Sequence, residues 1–156
     1  MSAAARLVQY VVVNGEIAKT WPKGALVAQC CHAVAAVSHL YAQDPETVEY
    51  FQDLDNMHKV VLEAPDTAKL LALGEVLQQN DIKHKVWIEQ PENLATCIAF
   101  KPYRKEDVQK DPVGQIRLEL LEHQSNFGDV NFKPKKKKIP KTIAHEPPSG
   151  SIYEET

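Results

Sequence analysis

The chain is poor in the residues from which several common sites are built. Its 156 residues include three cysteines, Cys30, Cys31 and Cys97. An odd count without a spaced framework excludes a disulfide scaffold. Cys30 and Cys31 are adjacent and would project about 100° apart on a helix, so they cannot both face one ligand. A redox or nucleophilic thiol is the functional alternative, but small apolar packing is the expected role of these side chains. There is no C-x-x-C, and no two of the six histidines are spaced i, i+4, so no metal site is expected. No uncharged apolar run reaches the roughly 18 residues a membrane span needs. The opening Met-Ser-Ala-Ala-Ala-Arg lacks the hydrophobic segment of a secretory leader. The expectation is a cytoplasmic protein without membrane association. No internal repeat is visible.

What is present is a short α/β domain. A chain of this length has room for one domain with a real core, and an apolar fraction of 44% suits a globular one. Leu7 to Val13 is a continuous apolar run rich in valine, the pattern of a strand covered on both faces. A long alanine-rich helix is predicted from Gly24 to about Ala42, with Leu26, Cys30, Val34, Val37 and Tyr41 on its apolar side. Asp44 and Pro45 start another helix, as N-cap and first-turn proline. His58 to Glu63 reads as a strand. Asp66 caps a further helix, with Leu70, Leu71, Leu73 and Leu77 as its apolar side. Lys85 to Glu89 and Ala95 to Lys101 read as two strands, and the short connection between them allows only antiparallel neighbours. The order β-α-α-β-α-β-β implies a three-layer α/β/α fold with a small mixed four-stranded sheet.

Past Pro102 the composition changes. Arg104 to Gln124 is compatible with a helix interrupted by Pro112 and Gly114, and from Ser125 the chain reads as a tail. The expected division is a domain over residues 1–124 and a basic, flexible C-terminal extension over 125–156. Up to Phe132 there are 12 Lys/Arg against 18 Asp/Glu, and beyond it 6 against 3. The lysine cluster, Lys133, Lys135 to Lys138 and Lys141, suits RNA phosphates or an acidic partner, and equally a solvated tail or a nuclear-localisation-like patch.

Two segments can carry chemistry. In the first, Trp21-Pro22-Lys23-Gly24, a lysine stands at the start of a helix just beyond a probable central strand. Ligands of open α/β sheets bind beyond the strand ends, and helix N-termini favour anions. A lysine there opposes the helix dipole, so helix stability does not explain it. It can neutralise a phosphate, polarise a carbonyl or hold a carboxylate base; the bland reading is an exposed solubilising lysine. Gln29, His32 and His39 fall near one face of the same helix. His32 is either a general base or phosphate donor, or a hydrogen-bonded histidine at the helix–sheet boundary. In the second segment, strand alternation puts Trp87 and Glu89 on one side. Glu89, at the strand end, can face Lys23 and orient a water, and Thr96 can offer a hydroxyl to the same crevice. The alternative is a tight hairpin with a cap-like glutamate and a strand-forming threonine.

Three stretches together carry a resemblance. They are K-G-x-x-x-A-Q-x-x-H-A (Lys23, Gly24, Ala28, Gln29, His32, Ala33), K-V-V-L-E-A-P at 59–65, and W-I-E-Q-P-E-N-L-A-T-C-I-A at 87–99. From about Leu7 to Val108 the chain resembles the type 2 peptidyl-tRNA hydrolase family. The resemblance implies hydrolysis of the ester between a peptidyl group and the 3′ end of tRNA, with water and neither metal nor cofactor. It carries the family's active-site lysine onto Lys23, its threonine onto Thr96 and its aspartate onto Glu89 or Gln90. The family's Asp-Ala-Gly-x-Thr stretch and longer loop are replaced here by Glu89-Gln90-Pro91-Glu92-Asn93, and the second lysine of K-G-K is Ala25.

The leading expectation is therefore an esterase on peptidyl-tRNA with Lys23, Glu89 and Thr96 as catalytic residues. Gln29, His32, Gln90, Asn93 and Trp21 are the expected substrate-binding residues, and Trp21 can stack the terminal adenine. Trp87 can also stack, although a core role suits it better. The ribosome and a second copy of the chain are further candidate partners. The alternative is a non-catalytic RNA- or ribosome-associated module built on the same fold.

Overall fold

The computed structural model describes residues 6–109. The 1–124/125–156 division, the lysine cluster and most of the Arg104–Gln124 helix lie outside them. Strand β1 (Leu7–Asn14) is buried from Val8 onward, as its continuous apolar run predicts. Helix α1 (Gly15–Thr20) follows at once, then α2 (Lys23–Leu40) and α3 (Pro45–Tyr50). A 3-10 turn (Leu54–Asn56) leads to β2 (Lys59–Ala64) and α4 (Thr67–Gln79). The hairpin β3 (His84–Glu89) and β4 (Leu94–Phe100) comes next, then a two-residue β5 (Tyr103–Arg104) and the short α5 (Lys105–Gln109).

The sheet runs β2-β1-β4-β3, and β5 pairs with the start of β1. β2 is parallel to β1, whereas β4 is antiparallel to both β1 and β3, so the sheet is mixed. Helices cover both faces, which gives three α/β/α layers. On one face Leu70, Leu73 and Leu77 of α4 pack against Val8, Val12, Leu62, Ile98 and Phe100. On the other, Ala33 and Val37 of α2 pack against Val11, Val13, Cys97 and Ala99. Small side chains on α2 let it approach the strands closely.

The capping residues behave as their chemistry dictates. Asp44 accepts from the Glu46 amide, and Asp66 from that of Lys69. An ion cluster of one buried lysine and two half-buried carboxylates pins α3 to the sheet. Lys101, 4% exposed, reaches Asp44, Glu46 and the Pro102 carbonyl beneath the ring of Tyr103.

Three details differ from the sequence reading. Residues 15–20 form α1, a helix the expected order lacks, because the Asn14 side chain accepts from the Glu16 amide and caps a helix there. Leu71 is 45% exposed, so the apolar side of α4 is narrower than expected. Gln29 does not share the exposure of His32 and His39 but is buried against the sheet.

Candidate active site

The hairpin positions the second segment. Trp87 pairs with Cys97, but the next pair is Ile88 with Ala95, so Thr96 is a surplus residue in β4. Such bulges re-aim side chains. Cys97 and Ala99 face α2, while Ile98 and Phe100 face α4. Unbroken alternation would send Thr96 to the α4 face with Ile98. The bulge instead turns it towards α2, where its hydroxyl donates to Gln29 Oε1 at 2.9 Å, and Thr96 is fully buried. Beside this pair the free thiols of Cys30 and Cys97 meet in a hydrogen bond. That contact and burial hold the Cys97 thiol well above its ordinary range, so it remains a neutral packing group.

Glu89 ends β3 and is half-buried. Its Oε2 accepts from the indole N–H of Trp87 at 2.8 Å. The other side of Trp87 is the His32 ring, stacked at 4.8 Å between centroids and 22° between planes. His32, Trp87 and Glu89 thus form one chain of contacts from α2 to the strand end. Trp87 is the residue missed as an orienting group; its i, i+2 spacing from Glu89 is the signal that finds it.

Lys23 is the first residue of α2 and is exposed. The N-cap is Pro22, with no side-chain hydrogen bond, and the space around Gly24 is open. The ammonium and the helix terminus together make an accessible place for an anion. Among the described residues no carboxylate pairs with Lys23, and Glu89 is bonded to Trp87 rather than to Lys23.

Gln90 and Asn93 are exposed in the hairpin connection. Asn93 adopts a left-handed conformation with φ 51°, which asparagine tolerates in turns. Trp21 is half-buried at the end of α1, its amide donating to the Ile17 carbonyl. The structure therefore brings together Thr96 with Gln29, and Glu89 with Trp87 and His32. Lys23 lies on the same helix as Gln29, about 9 Å from it along the axis at ~1.5 Å per residue. Among the described residues no cluster of three His, Cys, Asp or Glu side chains is arranged to hold a metal, and no helix is long and apolar enough to cross a membrane.

Residues 7–118 match the family model described as Peptidyl-tRNA hydrolase PTH2. The chain belongs to the PTH2 peptidyl-tRNA hydrolase family. It is 53% identical over 105 residues to the human protein named "Putative peptidyl-tRNA hydrolase PTRHD1", covering 65% of this chain and 75% of that protein. The mouse protein of the same name is 52% identical over the same extent. The PTH2 match includes Lys23, Gln29, His32, Glu89 and Thr96.

Proposed function

We propose that the chain hydrolyses the ester of peptidyl-tRNA, or of a related N-blocked aminoacyl-tRNA, to free peptide and tRNA. The observation that carries this reading is the bulged Thr96, whose hydroxyl is bonded to a buried glutamine on the helix that Lys23 opens. Water attacks the ester carbonyl, and the Lys23 ammonium stabilises the oxyanion that forms. Glu89, with one oxygen held by Trp87, takes the proton of that water through the other. Collapse of the intermediate breaks the bond to the ribose oxygen, which recovers the proton from Glu89. The products are a peptide carboxylic acid and tRNA, and the step needs no metal or cofactor. Thr96 positions the substrate through Gln29: its hydroxyl holds the Gln29 Oε1 and so directs the Nε2 donors to a substrate oxygen. His32, Gln90, Asn93 and Trp21 hold the RNA end. The tail over 125–156 adds sequence-blind phosphate contacts to the domain over 1–124. The reaction belongs to cytoplasmic translation quality control, with the ribosome or a second copy of the chain as further partners.

A non-catalytic tRNA- or ribosome-binding module is the second reading. It is favoured by one observation, the bonding of Glu89 to Trp87 with no Lys23 partner. Release of peptide from N-blocked aminoacyl-tRNA by wild type, Lys23→Ala and Glu89→Gln separates the two. Turnover that collapses in both variants supports the hydrolase. No turnover in the wild type, with tRNA binding retained, supports the module.

A further inference from the structure

The antiparallel ladder between β1 and β4 pairs Val11 with Ala99, Val12 with Ile98 and Val13 with Cys97. One step further, Asn14 and Thr96 would face each other, and there the backbone ladder stops. A side chain replaces it. Asn14 Nδ2 donates to the Ala95 carbonyl at 2.9 Å and to Thr67 Oγ1 at 2.8 Å, while its Oδ1 accepts from the Glu16 amide at 3.0 Å. The residue is fully buried. Thr67 in turn donates to Glu16 Oε2 at 2.8 Å, and this closes a ring of hydrogen bonds.

We infer that Asn14 is a positioning residue for the proposed hydrolysis: by holding the Ala95 carbonyl it fixes the bulge that aims the Thr96 hydroxyl at Gln29. This rests on the hydrolase reading of Thr96. Capping α1 requires an acceptor only, which serine, threonine or aspartate supplies as well. The two amide donors exceed that need, and burying them is costly unless both are used. One of them goes to the residue immediately before Thr96. Ionised aspartate has no donor for that carbonyl, and serine keeps the cap but is too short to reach it. The same side chain caps the helix that leads to Lys23, so it joins both segments of the site at their roots.

The test uses the full chain with Asn14→Ser, Asn14→Asp and Thr67→Val. Asn14→Ser should lower kcat for peptide release by about 10²-fold, the effect of a misplacement near 1 Å, with KM little changed. Thr67→Val removes the other arm of the network and should lower stability while leaving kcat as in wild type. In a Thr96→Val background, Asn14→Ser should cost no further kcat, because both changes act through one hydroxyl. The Thr96 methyl and amide NMR resonances should move in Asn14→Ser and stay in Thr67→Val. Equal kcat losses in Asn14→Ser and Thr67→Val, or a Thr96 signal unmoved by Asn14→Ser, overturn the inference. If Asn14→Ser does not fold, Asn14→Asp keeps the side chain's shape and is held to the same outcomes. If Thr96→Val itself leaves wild-type turnover, the hydrolase role of Thr96 falls, while the NMR comparison still decides whether Asn14 holds the bulge.

Discussion

Trp87 donates its indole N–H to Glu89 Oε2 at 2.8 Å, two residues along the same strand. The bond aligns one carboxylate oxygen and leaves the second for other partners. Trp87→Phe keeps a ring for the stack on His32 but removes the donor. Its expected effect is a fall in kcat of about 10-fold, or ~1.4 kcal/mol in the barrier, at nearly constant KM. Steady-state peptide release, with circular dichroism to confirm the fold, checks this. A phenylalanine variant that turns over like wild type would remove Trp87 from the site.

Lys101 is buried with two carboxylates and a carbonyl as partners. Replacing it by methionine fills the volume but strands Asp44 and Glu46 against apolar surface. Breaking a cluster from one side costs about 3 kcal/mol when fully buried, and the partial exposure of both carboxylates lowers that to about 1–2 kcal/mol. Urea unfolding of Lys101→Met should show that loss as a lower midpoint. A midpoint equal to that of wild type would mean the carboxylates simply swing into water.

Gly15 sits where β1 turns into α1. A Cβ there would lie 2.5 Å from Glu63 Oε1, 2.7 Å from the Ala64 carbonyl and 2.9 Å from the Pro65 carbonyl. The glutamate can swing away, but the two carbonyls belong to backbone. Gly15→Ala should therefore destabilise the fold by about 1–3 kcal/mol, through overpacking. Thermal melting compared with Ala substitution at open Gly24 is the control, since nothing lies within 4 Å of a Cβ there.

Alkaline stability follows from two phenols. Burial pushes Tyr50 up to about 12. Tyr103 is likewise pushed up to about 12 by burial, against the bond from the Lys83 amide. In the unfolded chain both lose their protons near pH 10. Between about pH 10 and 12 deprotonation stabilises the unfolded state relative to the folded one, and stability falls as pH rises; below that window both states are protonated and the contribution is complete. Lys59 acts in the opposite sense, since burial lowers its pKa and its charged form is the disfavoured one. Tyr103→Phe should flatten the decline of the melting temperature across pH 10–12. An unchanged slope would assign the alkaline transition elsewhere.

Much of this arrangement is written in side-chain chemistry that acts locally. The valine run of β1, the alanine-rich α2 and the caps Asp44 and Asp66 each follow from residues within one turn or strand, and all are in place. The short 90–93 connection fixed the pairing of β3 with β4 in the same way. Helix α1 is hard to see because Asn-Gly is a turn signal, whereas Asn14 here is both strand end and helix cap. The β4 bulge has no signature of composition: Ala95, Thr96 and Cys97 suit a regular strand equally well. Gln29 was legible as polar but not as buried, because its partner Thr96 is 67 residues away and reaches it only through that bulge. A Lys23–Glu89 pair is the natural guess from charge, yet the bond Glu89 makes is to the indole two residues back on its own strand.

The surplus residue in β4 makes the hairpin a matter of parity. The tip at 90–93 can lengthen or shorten without turning Thr96, provided the register beyond it holds. Removing residue 94 or 95 does the reverse, leaving the tip intact while rotating the hydroxyl through the sheet into the leucine layer of α4. The length of the loop is thus free where the count of the strand is not, whatever residues the tip carries.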